Sequence, residues 1–323
     1  MSVNLDKLNC YIDLHLHLDG SLSIESAREL ARMQNISLPA NDDELRKLLT
    51  VGDECKDLND YLNKFDLPME LMQTYEAIAY SFDKLERELA EQGLIYAEIR
   101  YAPQKHCLKG LTQEEAILAA IEGNARNDFY SGIILCCMRG DDNKEENFET
   151  IRLAKKYMDR GVVAVDLAGA EGMFKTEMFE ELFAFARECG VPFTIHAGEA
   201  DGPDSVWNAI KFGAKRIGHG IRSHEDPELL AYIRDNSIPI ERCYTSNIQT
   251  LGADYVNASI KKEDEYNGLN YVICTDNMAV SNTSMPEEFR RLREAFKLED
   301  EDIKTLMENA EGDSGRGSFE GWI

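Results

Sequence analysis

Eight short apolar runs rich in β-branched residues recur along the chain, separated by segments of helical pattern. They are "CYIDLHL" from Cys10, "LIYAEIR" from Leu94, "GIILCCM" from Gly132, "GVVAVDL" from Gly161, "PFTIH" from Pro192, "RIGHG" from Arg216, "IPIERC" from Ile238 and "YVICTD" from Tyr271. Strands that alternate with helices need crossover connections, and crossovers make a parallel sheet. A doubly wound sheet and a (β/α)8 TIM-like barrel both satisfy that condition. Eight units in 323 residues match the barrel, and no G-x-G-x-x-G follows the first run. The helical segments carry their own signals. "TQEEAILAAIEGNARND" opens with Thr112 and Glu115 in capping-box spacing, and "TEMFEELFAFARECG" stops at Gly190.

The spacing of the runs is uneven. Residues 21–92 separate the first two, and "SIESARELARMQN", "NDDELRKLLT" and "LPMELMQTYEAIAYSFDKLERELAEQG" within them read as helices inserted after strand one. In a barrel that position borders the active-site mouth, so we expect a wall over a pocket, with ordinary packing helices as the alternative. Residues 1–323 are expected to form one barrel domain, since no linker or low-complexity tract interrupts them.

The balance of 60 acidic against 35 basic side chains gives a formal charge of −25, which opposes binding to nucleic acid or to an anionic membrane. Much of this charge needs no explanation beyond a solvated surface. The eight cysteines lack any C-x-x-C pair and read as small core residues of a reduced, cytoplasmic protein. The start "MSVNLDKLNC" has no basic head followed by an apolar stretch, and no run of 18 apolar residues occurs, so neither export signal nor membrane span is expected.

Barrel enzymes place functional side chains at the C-terminal ends of their strands. Strand one here ends with His15 and His17, which alternation puts on one face, opposite Leu14, Leu16 and Leu18. Strand four ends in "DLAG", strand five brings His196 and then "AGE", strand six His219 in "GHG", and strand eight Asp276 in "CTDN". Four of the six histidines thus arrive at one mouth, leaving His106 and His224 as expected loop or surface residues. His15, His17, His196 and Asp276 supply three nitrogens and one oxygen, a donor set suited to catalytic zinc. Such a metal makes hydroxide available near neutral pH, and Glu199 and His219 remain for proton transfer. Each residue also has a plainer reading: paired histidines occur in cores, Asp276 suits a helix N-cap, and Glu199 suits a solvated loop.

At these residues the chain resembles the adenosine deaminase family, within the wider group of metal-dependent barrel hydrolases. The matching pieces are "HLHLDGS", "YAEIRYAPQ", "DLAGAE", "HAGEA", "GHGI", "TSN" and "CTDN", spread from about Cys10 to about Asn309. The resemblance implies one Zn2+ per chain on His15, His17, His196 and Asp276. It implies that Glu199 protonates purine N1, that His219 assists the attacking water, that the Gly169 N–H meets N3, and that Asp19 meets the ribose 5′-hydroxyl. His17 would also border the substrate. The implied reaction is attack of zinc-bound hydroxide on C6 of adenosine, or of 2′-deoxyadenosine, giving inosine and ammonia. The partner is therefore a small purine nucleoside. "GVVAVDLAG" contains no lysine to carbamylate, which favours one metal over two, and the H-x-E with P-C-x-x-C pattern of the cytidine-type deaminases is absent.

Within the family, "HLDG" goes with nucleosides and "HxEG" with the free base, so Asp19 points to a nucleoside, although Asp19 would equally cap a helix starting near Ser21. Deamination of adenine or of another 6-aminopurine nucleoside, and a catalytically silent purine binder, stay open as alternatives. Three positions depart from the family pattern. Asn277 stands where many members carry a second aspartate toward purine N7. Arg242 occupies an apolar position of strand seven and is expected to face outward, between barrel and helices. "AEGDSGRGSFEGWI" carries four glycines where a closing helix is expected, which predicts a frayed or altered C-terminus.

Overall fold

The computed structural model describes residues 4–5, 8–52, 54–264 and 268–314. Eight parallel strands run β1 (Tyr11–His17), β2 (Leu94–Tyr101), β3 (Ser131–Met138), β4 (Val162–Ala168), β5 (Ile195–Ala197), β6 (Ile217–His219), β7 (Ile240–Arg242) and β8 (Tyr271–Ile273). Hydrogen bonding continues in chain order from β1 to β4 and from β5 to β8. Two further seams close the ring. Val165 N donates to Pro192 O (3.0 Å) and Thr194 N to Val165 O (3.1 Å); opposite them, His17 N donates to Asp276 O (2.7 Å) and Asp276 N to His15 O (2.8 Å). The chain is the (β/α)8 barrel that the alternation predicts.

The connection after β1 is a 3-10 turn, Asp19–Ser21, followed by α1 (Ile24–Gln34), α2 (Asp42–Leu49), α3 (Leu58–Leu62), α4 (Asp66–Leu71) and α5 (Tyr75–Glu91). Polar N-caps start four of these helices: Ser23, Asn41, Asp57 and Thr74 each accept from backbone N–H groups of the first turn. Beyond β2 comes α6 (Gln113–Asn124), which carries the complete Thr112–Glu115 capping box. The outer layer continues with α7 (Lys144–Tyr157), α8 (Glu180–Cys189, ended by Gly190 at φ 64°), α9 (Pro203–Phe212) and α10 (Pro227–Asp235). Last come α11 (Tyr244–Leu251), α12 (Ala253–Asp264), α13 (Met278–Ser281), α14 (Met285–Phe296) and α15 (Asp300–Asp313). No helix of the described residues is long and apolar enough to cross a membrane.

Ile99, Ile133, Leu135, Val165 and Leu167 pack outward into the core beneath these helices. The lumen is different, because charge fills it. Glu98, Arg100, Asp166, Arg216 and Glu241 are all fully buried there, with Arg216 Nε donating to Glu241 Oε1 at 2.6 Å and Nη2 to Glu98. Strand alternation explains why Arg242, next to Glu241, faces outward as expected: its guanidinium lies over the Tyr271 ring, 5.0 Å from the centroid.

Several expectations need correction. α15 runs through Gly312 to Asp313 and is tied to the barrel by Asn309 Nδ2 on Tyr271 O (3.0 Å), so the glycines do not fray it there; residues 315–323 lie outside the described residues. Only Cys136, Cys137, Cys243 and Cys274 are core cysteines; Cys55, Cys107 and Cys189 are half-buried and Cys10 is exposed, all as free thiols. His224 is half-buried, its Nδ1 2.8 Å from Ser259 Oγ. His106 is fully buried, its Nδ1 3.0 Å from the Met72 carbonyl. A short segment after β2 folds back under the inserted helices, which sequence spacing alone does not reveal.

Candidate metal centre and active site

β1, β5 and the turn after β8 bring His15, His17, His196 and Asp276 together, with one donor atom of each within 4.8 Å of all the others. Asp276 Oδ1 lies 3.4 Å from His15 Nε2 and 3.5 Å from His17 Nε2, and His17 Nε2 lies 3.1 Å from His196 Nε2. The opposite ring nitrogens are engaged by buried carboxylates. His15 Nδ1 pairs with Glu241 Oε2 at 2.7 Å, and His196 Nδ1 lies 2.8 Å from Asp166 Oδ2. Protons on those Nδ1 atoms leave the Nε2 lone pairs directed at one point.

That convergence is what a metal needs and what a protein without one avoids. His15 Nε2 is buried and has no hydrogen-bond partner. Burial holds His17 and His196 below the usual imidazole range, hence neutral, so each ring keeps one nitrogen lone pair available to a metal. Asp276 is held well below the usual carboxylate range, against its burial, by the His15, His219 and His17 imidazoles that surround it, His15 Nε2 at 3.4 Å. Three imidazole nitrogens and a carboxylate oxygen fit a zinc-type ion. Asp276 is not a helix cap, since α13 starts at Met278 with Asn277 in the cap position. Asp276 and His219 adopt φ values of 61° and 63°, backbone positions that non-glycine residues seldom hold and that cluster at functional sites.

A cavity of about 250 Å³ opens over these residues, lined by His17, Asp19, Gly169, His196, Glu199, His219, Asp276 and Asn277. Leu58, Tyr61, Leu62, Phe65 and Met69 of the segment between β1 and β2 line it too. Glu199 is 4% exposed, so it is no solvated loop charge. Burial, with the Asp276 and Glu171 carboxylates nearby, pushes its carboxyl well above the usual range despite Arg139. Burial so strong favours the protonated form of the carboxyl. His219 is buried, held below the usual imidazole range by burial, with Nδ1 3.0 Å from Asn247 Nδ2. Asp19 is buried as well, its carboxyl raised to about 6 by burial, and Ser23 rather than Asp19 caps α1. Gly169 has φ 107°, which favours glycine there. Asn277 packs against Gly20 so closely that a Cβ on Gly20 would lie 1.7 Å from Asn277 Oδ1.

Sequence reasoning did not single out several residues that hold this site. Glu171 accepts the N–H groups of Gly198, Glu199, Ala200 and Asp201 at 2.6–3.1 Å and the Ser205 hydroxyl, fixing the turn that carries Glu199. Arg139 Nη2 donates to His196 O (2.6 Å) and to Thr176 Oγ1 (2.9 Å). Asp166, Glu241 and Arg100 did leave a signal: each is a charge inside an otherwise apolar strand. His106 left none, and its Nε2 lies 3.9 Å from Asp19 Oδ2.

Comparison with known proteins gives the family. A family model described as adenosine deaminase matches residues 11–315. An adenosine deaminase of Haemophilus ducreyi is 46% identical over 308 residues, which is 93% of this chain and 90% of that protein. Among solved structures, adenine deaminase from Arthrobacter aurescens superposes with a TM-score of 0.85 at 25% identity, covering 94% of this chain and 93% of that one. The apo N6-methyl-AMP deaminase of Arabidopsis thaliana shares the fold with a TM-score of 0.82 at 22% identity, covering 98% and 96% of the two chains.

Proposed function

From the premise that the chain belongs to the adenosine deaminase family and is a hydrolytic deaminase of adenosine-like substrates, we propose that it converts adenosine, and 2′-deoxyadenosine, to inosine and ammonia. The observation that carries this reading is that Glu199 and His219, both buried and 3.6 Å apart, line the same cavity as the four-donor cluster. One zinc ion held by His15, His17, His196 and Asp276 would supply the Lewis acid that makes water nucleophilic at neutral pH.

Adenine C6 is a weak electrophile. Glu199 donates its proton to N1, which draws electron density from C6 as the water oxygen bonds there, and His219 accepts the proton that the water loses. With the Asn247 carboxamide turned so that its oxygen accepts the Nδ1 proton, His219 presents Nε2 as the base. His219 then passes that proton to the C6 amino nitrogen, the C6–N bond breaks and ammonia leaves, and the C6 hydroxyl gives its proton to the Glu199 carboxylate as inosine forms. The Gly169 N–H hydrogen-bonds N3, the Asn277 amide donates to N7, and Asp19 accepts the ribose 5′-hydroxyl. The inserted helices act as a wall: Leu58, Leu62, Phe65 and Met69 keep bulk water from the purine.

The second reading is deamination of free adenine, the activity named for the Arthrobacter protein. Asp19 in "HLDG" supports the nucleoside instead. The four buried free thiols support a cytoplasmic location. The direct test is loss of the adenosine absorbance band on incubation with the purified, zinc-loaded chain. Turnover of adenine in preference to adenosine would overturn the nucleoside assignment, and absence of turnover on both would leave only a binder.

A further inference from the structure

The proposed metal ligands come from β1, β5 and the turn after β8, yet the residue that joins their supports lies on β2, which contributes no ligand. Arg100 is fully buried. Its Nη1 donates to Asp166 Oδ2 at 3.1 Å and its Nη2 to Glu241 Oε2 at 3.1 Å. These are the same two oxygen atoms that face the imidazoles, Asp166 Oδ2 at 2.8 Å from His196 Nδ1 and Glu241 Oε2 at 2.7 Å from His15 Nδ1. Nη2 also donates to Leu14 O at 2.6 Å, the carbonyl immediately before His15. One guanidinium therefore holds two carboxylates from the non-adjacent strands β4 and β7, and the backbone of β1 as well.

We propose that Arg100 is a positioning residue that couples the two histidine-orienting carboxylates, so that His15 and His196 are aimed at the metal jointly rather than ring by ring. This rests on the metal site proposed above. Each carboxylate has a hold of its own on the other oxygen, Glu241 Oε1 from Arg216 Nε (2.6 Å) and Asp166 Oδ1 from Leu167 N (2.7 Å), but Arg100 is what ties the two imidazole-facing oxygens to each other. When a rigid fork grips the same oxygen, the carboxylate plane is fixed, and a shift in one carboxylate moves the fork and hence the other. Lysine keeps the charge but offers a single ammonium on a flexible stem, so it cannot hold both oxygens in a fixed relation.

The test titrates the full-length apo chain with Zn2+ against a fluorescent chelator. The variants are Asp166→Asn, Glu241→Gln and their combination, each with Arg100 and with Arg100→Lys. Loss of one orienting partner weakens zinc binding by about 10- to 100-fold. Arg100→Lys is expected to weaken it by roughly tenfold or more, although Arg100 touches no ligand ring. With Arg100 present, the two carboxamide changes together should depart from the product of their separate effects; with Arg100→Lys, that departure should shrink toward zero. An equal departure in both backgrounds, or wild-type affinity in Arg100→Lys, overturns the proposal. His15→Ala binding zinc as tightly as wild type would instead overturn the metal site itself. Should Arg100→Lys fail to fold, ¹⁵N-histidine spectra of the apo wild type and of Glu241→Gln decide the matter. The Nδ1 resonance of His196 is expected to move, and its staying fixed overturns the coupling.

Discussion

Glu199 Oε2 lies 3.6 Å from His219 Nε2, and the surroundings drive the two groups to opposite protonation states. Burial raises the carboxyl and lowers the imidazole, which favours the acid form of one and the base form of the other. Glu199→Gln keeps the shape but cannot give up a proton. We expect roughly a 100-fold or greater loss of kcat, with bound zinc and affinity for purine riboside retained. In the wild type, kcat/KM should fall on the acid side as His219 is protonated and on the alkaline side as Glu199 ionises. Metal analysis beside steady-state kinetics checks both statements, and appreciable activity in Glu199→Gln removes it from its role.

Asp19 is buried at the cavity wall; Ser23 caps α1, and the Asp19 carboxylate accepts the Gly20 N–H at 3.2 Å in the 3-10 turn. Asp19→Ala is expected to lower kcat/KM for adenosine by about 10- to 100-fold, the worth of a hydrogen bond to a charged acceptor. Adenine and 5′-deoxyadenosine, which lack the hydroxyl, should be affected far less. Equal losses on all three substrates would sink the assignment.

Gly20 and Asn277 are bound together by space. A Cβ on Gly20 would lie 1.7 Å from Asn277 Oδ1 and 2.8 Å from its Cβ, so Gly20→Ala must push the whole Asn277 side chain aside. If the amide donates to purine N7, KM for adenosine should rise about tenfold while zinc content stays unchanged. The preference for adenosine over 7-deazaadenosine should collapse in parallel. A variant that keeps that preference shows that Asn277 does not read N7.

Glu288 on α14 supplies a pH dependence remote from the site. It is fully buried, accepts from Thr245 N (3.1 Å) and Thr283 Oγ1 (2.5 Å), and is raised from 4.5 to about 7 by burial. The folded chain holds this proton more tightly than the unfolded chain, so the group's stabilisation is full below pH 4.5 and lost as pH rises through about 7. The loss is on the order of 3 kcal/mol at most. Glu288→Gln can donate to the Thr283 hydroxyl and accept from Thr245 N, and should flatten the decline in Tm over that window. Asp166 and Glu241, held low chiefly by neighbouring positive charge against their burial, act in the opposite sense and only at more acid pH. An unchanged Tm profile in the variant would assign the decline elsewhere.

The barrel and the cluster of candidate ligands were legible in the sequence for one reason: a strand end is a local feature, and His15, His17, His196, His219 and Asp276 each lie at or just beyond one. The supports were not legible, because a supporting residue is defined by what it faces across the barrel. Glu171 reads as a loop acid until its carboxylate is found under four consecutive N–H groups. His106 reads as a loop histidine until the fold packs it behind Asp19. Arg100 and Glu241 showed as charges in apolar strands, but their pairing needed the closed ring.

The barrel is built unequally. β1 to β4 are seven or eight residues long, whereas β5 to β8 are three residues each. The short-stranded half has fewer ladder bonds to break and is the half from which partial opening starts. His15 and His17 belong to the long half, while His196 and Asp276 belong to the short one or its end. An ion shared among them would staple the weaker half to the stronger, across the β8–β1 seam and across the lumen from β1 to β5. Its removal would then register first as faster amide exchange along β5 to β8, well before the rest of the molecule loosens.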